Sequence, residues 1–168
     1  SYAEIREEVE HDLLDPAVQR DPKLKIRGLA LKGIIDLNVD TEAAESDWTQ
    51  IQEIAKQIDD AKWQNRARGE LGIIAGVNGE YGKAVVMLNQ AISTAQALND
   101  FGAAITFLTW LGNGAAVNNM GDLAIRVFDR APRLAREHPE VGIPIQTVIG
   151  KVRALRLAGQ SAKAEPLI

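Results

Sequence analysis

Alanine recurs in this chain at an interval of 40 residues that never slips. Ala44, Ala84, Ala124 and Ala164 form one series, and Ala55, Ala95 and Ala135 a second. Larger residues keep the same step: Leu31, Leu71 and Leu111; Trp48, Leu88, Phe128 and Ile168; Leu37, Val77, Val117 and Leu157. Asn38, Asn78 and Asn118 fall in line as well, each just before a turn rich in Gly, Asn or Asp. A fixed period of about 20–50 residues marks a stacked array, in which each unit buries its apolar side against the next. Arrays of this kind bind partners more often than they perform chemistry.

Each unit holds two helical stretches around a breaker. The clearest runs from about Ala61 to Val77, breaks at Asn78-Gly79 and resumes from about Glu80 to Leu98. Its second stretch carries Ala84, Val85, Leu88, Ala91, Ile92, Ala95 and Leu98 at steps of three and four, one apolar stripe. Asn99-Asp100 ends it, with Asp100 as the expected N-cap of the next helix. The third unit spans about 101–140, with a turn at Asn119-Met120-Gly121 and a second helix from Asp122 to His138. The fourth starts near Val141, turns at Ala158-Gly159-Gln160 and is cut short in its second helix at Ile168. The first spans about 22–60. Residues 1–21 supply a short stripe of Tyr2, Ile5, Val9 and Leu13 ended by Asp15-Pro16, read as a cap or as the second helix of an earlier unit. With no alternating strand pattern, the expectation is a single all-α domain over residues 1–168, excised from a longer protein.

Leu71-Gly72, Ala75, Gly79, Tyr81, Ala84, Leu88 and Ala91, and the matching Leu111-Gly112, Ala115, Ala124, Phe128 and Ala131, resemble the tetratricopeptide repeat. The period of 40 exceeds the usual ~34 and is similar to the long-repeat arrays of bacterial signalling and regulatory proteins. The first and fourth units depart from the pattern, with Leu31-Lys32 and Lys151-Val152 in place of Leu-Gly, and no unit has the usual proline near its end. The resemblance implies a right-handed superhelical solenoid of antiparallel helix pairs whose first helices line a concave groove. Projected onto this sequence, the groove candidates are Asp36, Arg66, Glu70, Ile73, Thr106, Thr109, Trp110, Asn113, Gln146, Arg153 and Arg156.

Trp110 stands out, because Ala30, Glu70 and Gly150 hold its equivalent positions and no shared core demands a Trp there. Tryptophan joins a broad apolar face to one hydrogen-bond donor, which makes it a frequent binding anchor. Trp48, by contrast, shares its place with Leu88 and Phe128 and belongs to the core. Arg153 and Arg156 could grip a carboxylate through paired hydrogen bonds. The places where a chaperone-type clamp needs Lys, Asn and Arg hold Leu29, Gly33, Glu70, Thr106 and Trp110, so that binding mode is not expected. Arg126, Arg130, Arg133 and Arg136 read as a solvated convex face, and Pro132 among them should kink that helix or cost it a hydrogen bond.

Catalytic patterns are not found. The two histidines, His11 and His138, are remote in sequence and belong to no metal motif. None of Ser1, Ser46, Ser93 and Ser161 lies in a nucleophile elbow. Gly112-Asn113-Gly114 follows no strand and has Val117 where a dinucleotide fingerprint needs glycine. The absence of cysteine removes thiol chemistry and disulfides and fits a cytoplasmic location. A net charge of -4 gives no footprint for nucleic acid, and no apolar run is long enough for a membrane span. The expected function is therefore a protein-interaction module without enzymatic activity or cofactor, a scaffold or sensor arm that holds a protein or peptide. The alternatives are a domain that senses a small ligand or peptide, and an architectural spacer that self-associates through exposed end helices.

Overall fold

The computed structural model describes residues 1–167; Ile168, the last rung of the Trp48 series, lies outside them. The described residues are all-helical. The α-helices are α1 (Tyr2–Leu13), α2 (Pro16–Arg20), α3 (Pro22–Asp36), α4 (Thr41–Gln57), α5 (Ala61–Val77), α6 (Tyr81–Ala97), α7 (Phe101–Val117), α8 (Gly121–Glu137) and α9 (Ile145–Leu157). Helices α4 to α8 are each 17 residues long and begin at residues 41, 61, 81, 101 and 121. The structural period is thus half the sequence period, one helix and a three-residue turn.

The turns show what sets that half-period. A residue in the left-handed region closes them at Asp59, Gly79, Asn99, Asn119 and Gly159. This conformation suits glycine and is tolerated by Asn and Asp. The next N–H then reaches back over the last helical turn: Asp60 to the Ala55 carbonyl, Glu80 to Ala75 and Asp100 to Ala95 at 2.8 Å, and Met120 to Ala115 at 2.9 Å. These bonds satisfy carbonyls that a helix end would otherwise leave unpaired. The N-termini of the earlier helices are capped by aspartates. Asp21 Oδ1 accepts from the Lys23 N–H at 2.8 Å, and Asp40 and Asp60 cap α4 and α5 in the same way. Asp100 meets the sequence expectation in position but not in bonding. It occupies the N-cap position of α7 but makes no capping hydrogen bond, being buried and engaged elsewhere.

The chain divides into two compact units, Ser1–Met87 and the part from Leu88 onward. In the first, α1 and α2 pack on α3, α3 on α4, and α4 on α5. Its core joins Val9, Leu13, Ile26, Leu29, Trp48, Ile51 and Ile74, with Trp63 and Leu71 partly buried against it. In the second, α7 packs on α8, and α9 packs on both. Ala115, Ala116, Ala124, Phe128 and Ala154 form the cluster between them. The helix pairs follow one another in series.

The alanine ladder is the set of close crossings. Ala44, Ala84, Ala124 and Ala164 are all buried, as are Ala55, Ala95 and Ala135. Trp48, Leu88 and Phe128 are buried too, and the large rings are accommodated by glycine opposite them. A Cβ on Gly33 would stand 2.7 Å from the Trp48 indole nitrogen, and one on Gly112 2.7 Å from the Phe128 ring. The first unit therefore keeps its small residue one position later than the Leu-Gly pattern suggests. The series that begins at Leu37 behaves differently: Val77, Val117 and Leu157 lie in the last turns of their helices, half or more exposed.

The fourth repeat departs from expectation at both ends. Its first helix begins at Ile145, not near Val141, because Pro139, Gly142 at a φ of 71° and Pro144 hold the preceding chain out of helix. After Gly159 there are two 3-10 turns, Ser161–Lys163 and Glu165–Leu167, in place of a second α-helix. Pro166 has no N–H for an α-helical bond and disfavours helical geometry at Glu165. Ala164 nonetheless stays buried.

Candidate interaction surface

In the first unit, two of the groove candidates sit one turn apart on α5. Arg66 is half-buried, its guanidinium 5.3 Å from the centre of the Trp63 ring, a cation–π contact. Glu70 is also half-buried, and burial pushes its carboxyl up to about 7. Close to neutral pH that group takes or releases a proton at little cost, so it can donate a hydrogen bond or meet an approaching cation. Ile73 and Asp36, both expected in the groove, are buried and cannot line it. Ile73 belongs to the packed face of α5.

Asp36 has a different role. Its Oδ1 lies 2.7 Å from Arg6 Nε on α1, and its Oδ2 accepts a 2.7 Å hydrogen bond from Lys32 Nζ. Lys32 also reaches both oxygens of Asp47 on α4, at 3.0 and 3.2 Å. Burial alone would lower the Lys32 pKa, but its hydrogen bonds to Asp36 and Asp47 outweigh it and hold the ammonium above its usual 10.5. Burial, with Asp36 nearby, raises Asp47 despite the opposing pull of Lys32. This network ties α1, α3 and α4 together. Sequence patterning missed it, although an Asp and a Lys one helical turn apart in an apolar stretch were a signal of it.

In the second unit, α7 is buried along most of its length, including Ala103, Ala104, Ile105, Phe107, Leu108, Gly112, Ala115 and Ala116. Trp110 on the same helix is 40% exposed. Val117 and Gly114 are also exposed on α7, and Thr106 and Asn113 are half-buried. On α9, Gln146, Arg153 and Arg156 are exposed. Thr109 is buried, and so leaves the list of groove candidates. Its hydroxyl shares a 2.7 Å hydrogen bond with that of Thr147 and donates to the Ile105 carbonyl. That bond fixes α7 beside α9. Asn113 also faces α9, where a Cβ on Gly150 would stand 2.7 Å from its Oδ1. The backbone beneath Trp110 is therefore tied to α9 one residue before the ring's attachment point.

The arginine series on α8 is exposed at all four positions, as a solvated face should be. Asp129, between them, pairs with Lys151 of α9 at 2.7 Å. Pro132 lies within the continuous helix α8. His138 stacks on Phe101, ring centres 3.4 Å apart. Among the described residues no cluster of His, Asp and Glu is placed to hold a metal ion, and no helix is long and apolar enough to cross a membrane.

No protein-family model matches the chain, and no curated protein matches its sequence. Among solved structures it is similar to the crystal structure of BtubC (BKLC) from P. vanneervenii. The TM-score is 0.74 at 17% sequence identity, over 99% of this chain and 70% of that one. At that identity the likeness shows the fold: all-α, with helix pairs packed in series.

Proposed function

We propose that this chain is a protein-interaction module, a cytoplasmic array of tetratricopeptide type that holds a peptide or an extended segment of a partner and catalyses no reaction. The observation that carries this reading is Trp110: a large aromatic ring, 40% exposed, on a helix of which more than half is buried. Its helix is pinned to α9 through Thr109 and Thr147, so a partner would meet the ring on a rigid base and lose little conformational freedom in the protein on binding. In this reading Thr106 and Asn113, one turn either side of it on α7, supply hydrogen-bonding groups, and Gln146 and Arg153, exposed on α9, would add an amide and a charge that suits a carboxylate.

The test is a display selection from a random peptide library, run in parallel on the parent and on Trp110→Ala. The reading expects peptides that enrich on the parent and bind the variant more than ~5-fold more weakly, as hot-spot truncations do, with the melting temperature little changed. Equal binding by both proteins, or no enrichment on the parent, overturns it. A large drop in melting temperature with affinity unchanged would make Trp110 a packing residue.

A further inference from the structure

Helix α9 carries an exposed stripe at steps of four, three and four: Ile145, 63% exposed, Ile149, 51% exposed, the half-buried Val152, and the exposed Arg156. Forty residues earlier the same stripe on α7 is Ile105, Thr109, Gly112 and Ala116, and there all four are buried. That part of α7 is the side against which α9 lies, through the Thr109–Thr147 bond and the Ala116–Ala154 cluster. By its register, then, the α9 stripe is shaped to receive another helix.

The other exposed helix of matching pattern in this chain is α1. It is docked by Val9, Leu13 and the Arg6–Asp36 pair, which turns Tyr2, Ile5, Glu8 and Asp12 outward, at steps of three, three and four. Both stripes begin apolar and end charged, and the charges are opposite. Helix α1 contains Glu4, Glu7, Glu8, Glu10 and Asp12 against Arg6, whereas α9 contains Lys151, Arg153 and Arg156 and no acidic residue. Laid parallel, the two helices would set Tyr2 and Ile5 beside Ile145 and Ile149, and Glu8 and Asp12 beside Arg156.

We infer that the chain self-associates head to tail, the outer stripe of α1 on one copy docking on the α9 stripe of the next. Such a contact joins two different surfaces, so it leaves a free end of each kind and allows further copies to add. It involves neither Trp110 nor any side chain proposed to hold the peptide, and it does not depend on that reading.

Sedimentation velocity over a concentration series up to about 1 mM, within the range of weak contacts, tests this with three proteins. The parent should show an average mass that keeps rising past that of a dimer and falls when salt is raised from about 50 to 500 mM. Ile149→Glu/Arg156→Glu should associate at least ~10-fold more weakly, since like charges then face each other. Ile5→Lys/Glu8→Lys should do the same. An equimolar mixture of the two should recover association, because it again pairs one intact α1 with one intact α9. All four substitutions are at exposed positions, and circular dichroism should match the parent. A parent that stays monomeric throughout, a mass that saturates at a dimer, or a mixture that stays as dissociated as its components each overturns the inference.

Discussion

The Phe128 ring of α8 lies against Gly112 of α7 so closely that a single Cβ there would stand 2.7 Å from it. The same ring edge, Cε1 and Cζ, also meets Gly150 of α9, where a Cβ would come closer still. One side chain thus fills the space among three helices, and two glycines leave that space open.

Glycine in a helix interior ordinarily costs about 1 kcal/mol relative to alanine, so an alanine substitution there should stabilise. At Gly112 and Gly150 the sign should reverse. Forcing a methyl into a filled site costs ~1–3 kcal/mol, and Phe128 is fully buried with little room to withdraw. Gly112→Ala and Gly150→Ala should lower the denaturation midpoint, while Gly114→Ala, where a Cβ would meet nothing within 4 Å, should raise it slightly. Chemical denaturation of the three variants compares them directly.

Removing the ring itself leaves a cavity. Phe128→Ala should cost ~3–5 kcal/mol and Leu88→Ala ~2–5 kcal/mol, both side chains being buried. In a serial array the damage should extend to the neighbouring helices. Hydrogen exchange would show it for Phe128→Ala as faster exchange in both α7 and α9, and a change confined to α8 would contradict the wedge.

The charged network makes a different prediction. Lys32→Met leaves Asp36 with Arg6 and strips Asp47 of its cation, a loss of ~2–4 kcal/mol given that a buried charge without a partner is costly. Adding Asp47→Leu should return much of it, since an apolar pair of similar volume does not carry the desolvation of the ions. A double variant less stable than Lys32→Met alone would mean that the network holds α3 and α4 in a geometry that apolar side chains cannot reproduce.

Glu70 should leave a mark on the pH dependence of stability. Its folded carboxyl titrates at about 7, against 4.5 ordinarily. Below pH 4.5 both states are protonated and there is no penalty. Between 4.5 and 7 the unfolded chain releases a proton that the folded chain keeps, so stability falls as pH rises, and above 7 the full penalty stands. With solvent reaching the half-buried group, the penalty is about 1–3 kcal/mol. Glu70→Gln should therefore melt higher than the parent at pH 8, and the two should converge toward pH 4.5. Parallel melting curves across that range would contradict the raised carboxyl.

What the sequence determined by itself is the helical repeat. Small residues at 44, 84 and 124 must face a close crossing, large ones at 48, 88 and 128 must fill the space beside it, and Gly79, Asn99, Asn119 and Gly159 accept the left-handed turn. Each of these is a local requirement that one residue type satisfies, so it can be read without knowing what lies opposite. Tertiary structure alone decided the rest. Asp36, Ile73 and Thr109 are spaced like groove residues, yet each is covered by a partner from elsewhere in the chain or by the packing of its helix. Trp110 remains exposed although it is as apolar as Trp48. Burial of a single side chain depends on the neighbouring helix's position and on whether that helix offers glycine, threonine or a charge at the point of contact. Periodicity along one strand of sequence carries no record of that pairing.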